Sequence, residues 1–333
     1  MTIINGIEID NITIYKNNIK ETILNNEPIE DKLHVIIVIS NPCLYARRYI
    51  LAREFIKRME NEENVILYIV ELIYKNQKYI ITEKNNKNHL QLKCNIPLWH
   101  KENMINLGVK YLLPKTWKAF AWIDADIEFE SASWALDTLK ILNGSYDIVQ
   151  LWSHAVDMDK NLNGMSVFNS AGYQYIHNKN NYNNSKGINY WHPGFAWAIT
   201  RKAYEKIGGL FEISILGSGD NIMMLSLINN GLKALNEKSS DGYKNKVIEF
   251  QKKVCNFRFG YVPGVIRHYF HGSKKNRKYM ERWQILIEHN FDPIEHLEID
   301  KIGILIPSNK CPQKLLDDIN IYFKDRNEDE GFI

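Results

Sequence analysis

Two aspartates stand one residue apart directly after an apolar stretch, and residue types at that spacing are typical of a metal site. The stretch Ala119-Phe-Ala-Trp-Ile predicts a strand over residues 119–124, which puts Asp124 and Asp126 at its carboxyl end. Ligands of open α/β sheets bind at that edge. A nucleotide diphosphate and two carboxylates repel each other, but a divalent cation with oxygen ligands on both sides offsets the repulsion. The spacing therefore predicts a Mn²⁺ or Mg²⁺ site; the alternative is a pair of surface acids at a strand end.

Two histidines follow a second apolar stretch and precede a basic run. His268 and His271 lead into Gly272, and the run contains Lys274 and Arg277. Imidazole can complete a metal site that carboxylates begin. A glycine and basic side chains can close over a diphosphate. We therefore expect both histidines to be metal ligands and the next residues to bind phosphate; a generic basic loop is the alternative.

A lysine and a third acid have matching positions at the starts of two predicted helices. Lys101 begins a helix predicted over residues 101–111, ahead of the strand that carries the two aspartates. It can neutralise or orient a phosphate, or it can be a solvated helix charge. Asp220 follows Gly217-Ser-Gly219. It can take a proton from a hydroxyl, or it can be a simple helix cap.

Three tryptophans and a glycine are candidates for a sugar or acceptor site. Trp191 and Trp197 flank Gly194, and Trp152 ends an earlier predicted strand. Indole faces stack well on the C–H faces of sugars, and glycine lets the backbone approach a ligand closely. Ordinary core packing of these tryptophans is the alternative.

The elements that must position these residues begin with a β-α-β unit. Leu33–Ser40 and residues 65–73 have the pattern of buried strands, and residues 45–60 between them have helical spacing. This order predicts a parallel α/β sheet. Residues 75–95 are polar and are expected to form an antiparallel excursion. Residues 157–190 are rich in Asn, Gly and Tyr, so we expect a functional or mobile stretch without regular structure.

Other elements and the domain limits follow from the same patterns. We expect an N-terminal hairpin around Asp10-Asn11 and an amphipathic C-terminal helix over residues 312–325. Further predicted strands and helices cover residues 134–142, 147–152, 195–200, 202–207, 220–229, 261–268 and 279–289. The predicted domains are an N-terminal extension over 1–30, one main domain over 31–291 and a C-terminal extension over 292–333.

The composition excludes several classes of protein. The 333 residues are 45% apolar and carry a formal net charge of +3, so no field of one sign favours nucleic acid or a membrane surface. The four cysteines contain no Cys-x-x-Cys pair, which argues against zinc and indicates free thiols in a reducing compartment. Because we find no signal-peptide pattern and no apolar run long enough to span a bilayer, we expect a cytoplasmic protein.

The order of these motifs resembles that of the GT-A nucleotide-sugar glycosyltransferases over about residues 33–290. In that fold the second aspartate of the pair ligates manganese or magnesium, and the first contacts the ribose or a metal-bound water. The resemblance gives these roles to Asp126 and Asp124. The family pattern Gly-x-x-Trp-x-x-x-Arg, Gly-Gly, Gly-Glu-Asp reads here from Gly194 to Gly219-Asp220-Asn221, with Asp-Asn in place of Glu-Asp.

Two narrower resemblances concern the histidines and the whole chain. Residues 265–276 look like the metal-histidine strand of lactose-synthase-type galactosyltransferases, which implicates His268 first and His271 second. The first βα turn, with Asn41 and Arg47, fits the nucleotide-base pocket of the GT-A fold. Phrases such as Leu98-Trp-His-Lys-Glu-Asn also resemble an uncharacterised family of glycosyltransferase-like proteins from viruses and phages. If the chain is viral, we expect it in the host cytoplasm or the virion.

The resemblance implies a hexosyltransferase that uses Mn²⁺ or Mg²⁺. It would move a sugar from a nucleotide-sugar, with UDP-sugars favoured, to a hydroxyl of a glycan, a protein or another acceptor, and Asp220 would be its base. The residues expected to bind the nucleotide-sugar are Asn41, Arg47, Lys101, Asp124, Gly272, Lys274 and Arg277. Because a transferase must exclude water, we expect a lid that becomes ordered when the donor binds. Residues 272–278 are the first candidate for this lid, and residues 178–186 are the second.

Three other functions fit parts of the pattern. A sugar nucleotidyltransferase would need a glycine-rich basic loop after the first buried strand, but Ser40-Asn-Pro-Cys-Leu-Tyr45 has no glycine. A non-catalytic carbohydrate-binding or virion protein would keep the tryptophans and need neither Asp126 nor the histidines. A metal-dependent nuclease would need further acids and basic residues beside the aspartate pair.

Overall fold

The central element of the fold is a mixed sheet. A computed structural model of the chain describes residues 2–4, 7–10, 20–21, 24, 32–177, 191–279 and 281–331. The strands of the sheet, in spatial order, are Phe259–Tyr261 (β13), Ile148–Gln150 (β8), Ala196–Thr200 (β12), Ala119–Ile123 (β6), Leu33–Ser40 (β3), Val65–Tyr74 (β4) and His89–Cys94 (β5). β12 is antiparallel to both of its neighbours, and the other adjacent strands are parallel.

A second sheet lies at the carboxyl end of β6. Its strands, in spatial order, are Trp191–His192 (β11), Gly164–Ser170 (β10), His154–Met158 (β9), Val265–His268 (β14) and Ile127–Phe129 (β7). Only Asp124-Ala-Asp126 separates β6 from β7, so the aspartate pair joins the two sheets. In β14, His268 pairs with Ile127 on one side and with Asp157 on the other. The strand register thus brings His268 to the aspartate pair.

Helices pack on the sheets, and two further two-stranded sheets lie outside them. The helices are Ala46–Met59 (α1), Lys101–Leu112 (α2), Trp134–Leu142 (α3), Ala171–His177 (α4), Arg201–Ile207 (α5), Gly219–Leu227 (α6), Asp241–Val254 (α7), Arg282–Glu288 (α8), Pro293–His296 (α9) and Gln313–Asp325 (α10). Short 3₁₀ helices span Gly231–Ala234 and Lys274–Arg277. The small sheets pair Thr2–Ile4 (β1) with Ile7–Asp10 (β2), and Leu297–Ile299 (β15) with Leu305–Pro307 (β16).

Two apolar clusters cover the two faces of the central sheet. Successive residues of a strand point to opposite faces, so Val35 and Ile37 of β3 pack with Phe55 of α1, whereas Ile36 packs with Met104 of α2. A strand that is buried on both faces needs a continuous β-branched run, and β3 has one. The structure therefore confirms the predicted architecture, a Rossmann-like mixed α/β sheet flanked by helices.

The excursion after β4 was predicted wrongly. Residues 75–95 do not form an antiparallel strand, because β5 runs parallel to β4. The carboxylate of Glu71, buried in β4, accepts hydrogen bonds from the backbone N–H groups of Ile80 and Thr82, both at 2.8 Å. These bonds hold the returning polar loop at the edge of the sheet, so the chain re-enters in the direction of β4.

Three other expectations also differ from the structure. Residues 154–177 form β9, β10 and α4, so the expected irregular stretch is regular there, and residues 178–190 lie outside the described residues. The expected strand over 261–268 is divided between two sheets, because Pro263 has no N–H to continue a ladder. The N-terminal hairpin forms between residues 2–4 and 7–10, not around Asp10-Asn11.

The C-terminal helix and the membrane question complete the description. Helix α10 packs its predicted apolar face on the core through Leu315, Ile319 and Phe323. In the described part of the chain, no helix combines the length and the hydropathy that crossing a bilayer needs. The limits predicted for the three domains stay predictions.

Candidate active site

One cavity of about 240 Å³ lies where the two sheets meet. Its walls come from the turn after β3, the aspartate pair, the first residues of α2 and α6, the segment after β14 and the chain after α10. Six carboxylates and six cationic side chains line it, so their formal charges balance. A ligand that carries several negative charges would therefore need additional positive charge, which a bound metal ion can supply.

Asp126, His268 and His271 form a group that could hold a metal ion. One ligand atom from each residue lies within 4.8 Å of the others. Asp126 Oδ2 is 2.7 Å from Nε2 of His271 and 3.8 Å from Nε2 of His268. Asp126 Oδ1 and His268 Nε2 are both buried without a hydrogen-bond partner among the described residues. Buried polar atoms without partners are costly, and a divalent cation accepts both oxygen and imidazole ligands, so these residues fit such an ion.

Asp157 of β9 fixes the ring of His268 from behind. Its Oδ1 is 2.7 Å from Nδ1 of His268, and its Oδ2 is 2.6 Å from Nζ of Lys274. The Nδ1–H group of His268 therefore donates to the carboxylate, and Nε2 keeps its lone pair toward Asp126. Burial lowers the pKa of His268 in spite of Asp157, which favours the neutral imidazole that a metal requires.

The two aspartates of the pair have different partners. Burial alone would raise the pKa of Asp126, but the adjacent His271 and the nearby charge of Arg277 hold that pKa well below its usual value. Asp124 instead forms a salt bridge with Lys101 of α2. Burial raises the pKa of Asp124 even with this lysine beside it. Asp124 is not part of the three-residue group, so the structure separates the two aspartates that the sequence treats as one metal motif.

Arg277 belongs to the basic segment after His271, and its side chain contacts the group formed by Asp126, His268 and His271. Its Nη2 is 2.6 Å from Nε2 of His271. If the guanidinium donates to that lone pair, the same nitrogen cannot also donate to Asp126. The two acceptor atoms, Nε2 of His271 and Oδ2 of Asp126, are 2.7 Å apart and then repel each other unless a cation lies close by. In this structure Arg277 supplies that positive charge.

The other end of the cavity lies at the first residues of α2 and α6. Asp220 of α6 packs against Gly194, where an added Cβ would be 2.7 Å from Oδ2 of Asp220. His192 lies on the same side, and burial lowers its pKa to about 4. The backbone N–H of Gly194 donates to Nδ1 of His192, so this ring is neutral and protonated at Nε2. Glu102, the second residue of α2, also lines this end.

The chain after α10 closes one wall of the cavity. The Glu328 carboxylate accepts hydrogen bonds from Arg48, at 2.8 and 2.5 Å, and from Arg326, at 2.8 Å. Although burial alone would raise the pKa of Glu328, these two arginines hold it well below its usual value. Asp329 accepts from the first backbone N–H groups of α1, Ala46 at 3.0 Å and Arg47 at 2.8 Å, and so caps that helix.

The cavity brings together eight of the residues that the sequence selected. They are Lys101, Asp124, Asp126, Asp220, His268, His271, Lys274 and Arg277. Three others stand behind its wall. Asn41 exchanges hydrogen bonds with the backbone of Tyr45, Arg47 donates to the carbonyl of Phe270, and Gly272 packs against the backbone of residues 326–328 at a positive φ of 88°.

The tryptophans are not brought to the cavity. Trp152, Trp191 and Trp197 are only 0%, 8% and 2% exposed, and none of them lines the cavity. Trp197 stacks on Trp122 of the neighbouring strand β6, and its Nε1–H donates to the carbonyl of Pro193. Because all three side chains are buried away from the cavity, the structure favours the core-packing alternative for them.

Several residues of the site were missed by the sequence reasoning. Asp157 sits in a stretch that was expected to lack regular structure, so its strand position was not recognised. Glu102 adjoins Lys101 in the same motif, and only its burial distinguishes it from a surface acid. Glu328 and its partner Arg48 are 280 residues apart, so no local pattern connects them.

Comparisons with known proteins add little to this geometry. No protein-family model and no curated protein matches the chain. Among solved structures, it is similar to a mutant of Drosophila beta-1,4-galactosyltransferase 7 in complex with manganese, UDP-Gal and xylobiose, at 9% identity and a TM-score of 0.39, over 83% of this chain and 93% of that one. It is also similar to 4-diphosphocytidyl-2C-methyl-D-erythritol synthase from Anaerococcus prevotii, at 11% identity and a TM-score of 0.35, over 89% and 98%. Both TM-scores are low, so neither likeness identifies a function.

Proposed function

We propose that this chain is a metal-dependent glycosyltransferase that takes a sugar from a nucleotide-sugar. The observation that carries the proposal is the convergence of Asp126, His268 and His271 at the carboxyl end of a sheet. Two buried atoms of this group, one on Asp126 and one on His268, have no hydrogen-bond partner among the described residues. A Mn²⁺ or Mg²⁺ ion bound there would offset the negative charge of a nucleotide diphosphate. UDP-sugars are the favoured donors, and the acceptor is a hydroxyl compound.

The residues of this chain would divide the work between the two ends of the cavity. Asp126 and the two histidines hold the ion, and Asp157 keeps His268 in the tautomer that can bind it. Lys274 and Arg277 present positive charge to the phosphates. At the far end, Asp220 is the candidate base for the acceptor hydroxyl, and its place at the start of α6 lets it face the cavity.

Asp124 and Lys101 stand between these two ends. Asp124 forms a salt bridge with Lys101 and lies outside the three-residue ligand group. We propose that this pair contacts the sugar-phosphate part of the nucleotide, with the lysine as the charged partner.

A sugar nucleotidyltransferase is the second candidate, and one contact in the structure disfavours it. Such an enzyme would use the turn after β3 and the start of α1 to hold phosphates. Here the carboxylate of Asp329 already caps the first N–H groups of α1. Phosphates bound at that helix end would have to displace a carboxylate of this chain.

A donor panel tests the proposal directly. Hydrolysis of UDP-, GDP- and dTDP-sugars is measured with Mn²⁺ and with EDTA. We expect one nucleotide class to be hydrolysed slowly and only with metal, because water can replace the missing acceptor. Formation of pyrophosphate from a nucleoside triphosphate and a sugar phosphate, with no hydrolysis of any nucleotide-sugar, would favour the second candidate instead.

A further inference from the structure

Glu102 is a buried acid that no part of the proposed metal or phosphate chemistry uses. Its side chain lines the cavity, yet the residue is only 3% exposed. Its Oε2 atom has no hydrogen-bond partner among the described residues. A buried polar atom without a partner costs free energy, so a protein tends to keep one only where a ligand or another function needs it.

The space around Glu102 depends on a glycine. A Cβ added at Gly219 would lie 2.6 Å from Oε1 of Glu102, closer than such contacts occur. Gly219 is the first residue of α6 and directly precedes Asp220. The absence of a side chain at this position therefore lets the Glu102 carboxyl group reach the first turn of α6, which carries the candidate base.

The charges around Glu102 favour its neutral form. Burial raises its pKa to about 8; the nearby Lys101 opposes this effect and Asp220 adds to it. Lys101 is already paired with Asp124. A neutral carboxyl group both donates and accepts hydrogen bonds, and it does not attract a metal ion as a carboxylate does. This chemistry suits an uncharged hydroxyl.

We propose that Glu102 binds a hydroxyl group of the sugar that is transferred, in a subsite between Asp124 and Asp220. The inference rests on the proposed function and gives it a sugar-recognising residue. The position follows from two residues beside Glu102. Lys101 precedes it and forms a salt bridge with Asp124, on the proposed donor side. Gly219 contacts it and directly precedes Asp220, on the proposed acceptor side. The transferred sugar must lie between these sides when it changes partners.

Two substitutions separate this role from a structural one. Glu102→Met removes the hydrogen-bonding group and keeps a similar volume, whereas Glu102→Gln keeps the ability to donate and accept. We expect E102M to lower kcat/KM for hydrolysis of UDP-glucose or UDP-galactose by about tenfold or more, and E102Q to lower it by less than about threefold. The affinity for UDP with Mn²⁺ should stay the same in both variants.

Thermal stability gives a second readout. Because Met leaves no buried acid without a partner, E102M should unfold at the same temperature as the wild type or higher. Glu212 offers a matched control, since its Oε2 accepts hydrogen bonds from Asn103 and Asn106 of the same helix at 3.0 and 2.7 Å. Glu212→Met should lower the melting temperature and leave sugar recognition unchanged.

The outcomes distinguish failure of this inference from failure of the proposed function. If the wild type binds no UDP with Mn²⁺ and hydrolyses no nucleotide-sugar, the proposed function is wrong. If the wild type is active and E102M hydrolyses UDP-sugars at the same rate, the inference is wrong. It is also overturned if E102M loses stability as E212M does, which would make Glu102 a helix-end residue, or if E102M weakens UDP binding itself.

Discussion

The two ends of the cavity differ in how their charges are matched. At the metal end, Asp157 is held by His268 and Lys274, and Asp126 lies beside two histidines and Arg277. At the sugar end, the buried carboxyl group of Glu102 has an atom without a partner, and His192 is neutral. A nucleotide-sugar has the same division, with a charged diphosphate at one end and uncharged hydroxyls at the other. Under the proposed function, this contrast would turn the diphosphate toward the histidines and the sugar toward Glu102.

The largest expected effect comes from Asp220, the candidate base at the sugar end. Asp220→Asn keeps the shape of the side chain and removes its ability to accept a proton. We expect transfer to fall about 10²- to 10⁴-fold, because general bases contribute factors of that order, while UDP and Mn²⁺ bind as before. Rates and calorimetric affinities are measured on the same preparation. Transfer at a comparable rate would reduce Asp220 to a helix cap.

Loss of a ligand should damage only the metal end. Asp126→Ala removes one oxygen ligand and leaves the sugar end intact. We expect the affinity for UDP in the presence of Mn²⁺ to fall on the order of 100-fold, with an unchanged melting temperature, because the residue lies at a strand end and adds little to the core. Calorimetry and thermal melting check both statements. Unaltered Mn²⁺-dependent affinity would remove Asp126 from the site.

A residue behind the ligands should give a smaller effect of the same kind. Asp157→Asn weakens the hydrogen bond that fixes the ring of His268. Outer partners of metal-bound histidines contribute about 10- to 100-fold to metal affinity, so Mn²⁺ titrations should show a loss in that range. Asp137→Asn, at a half-buried position that does not line the cavity, is a suitable control and should bind Mn²⁺ as the wild type does. Equal affinities for both variants would contradict the role of Asp157.

The basic segment after His271 should respond to ligands of the metal end. In the structure Lys274 pairs with Asp157, and Lys278 pairs with Asp325. We predict that trypsin cuts after the lysines and arginine of residues 274–278 in the free protein, and that UDP with Mn²⁺ slows this cleavage about tenfold by adding phosphate partners. Protection only near Lys186, which lies outside the described residues, would move the lid to that stretch. Protection at neither place would remove the lid.

The smallest effect concerns pH and the sugar end. The pKa of Glu102 is about 4.3 in the unfolded chain, and burial raises it to about 8 in the folded chain. The unfolded state then binds fewer protons between these pH values, so the free energy of unfolding falls as the pH rises. Glu102→Gln should flatten this decline in melting temperature by a few degrees. The same slope in both proteins would mean that Glu102 is ionised in the folded state.

The metal end could be predicted from the sequence far better than the sugar end. Strand patterns and a short spacing were enough to select Asp126, His268 and His271, because β6 and β14 end at neighbouring points of the two sheets. Burial and tertiary contact decide the remainder. In the sequence, Glu102 cannot be distinguished from a solvent-exposed charge on a helix, because its contact with Gly219 exists only in the folded chain. Glu328 lines the cavity only because α10 packs on the core. Trp152, Trp191 and Trp197 were selected as sugar contacts from residue type alone, and the structure buries all three away from the cavity.

Calorimetric titration of UDP with Mn²⁺ and with EDTA tests the central claim most directly. The claim is that an ion held by Asp126, His268 and His271 connects this chain to a nucleotide diphosphate. We predict that UDP binds with Mn²⁺, and that EDTA reduces its affinity on the order of 100-fold, because the ion would supply the positive charge next to the diphosphate. Equal affinity in the two buffers would contradict the account.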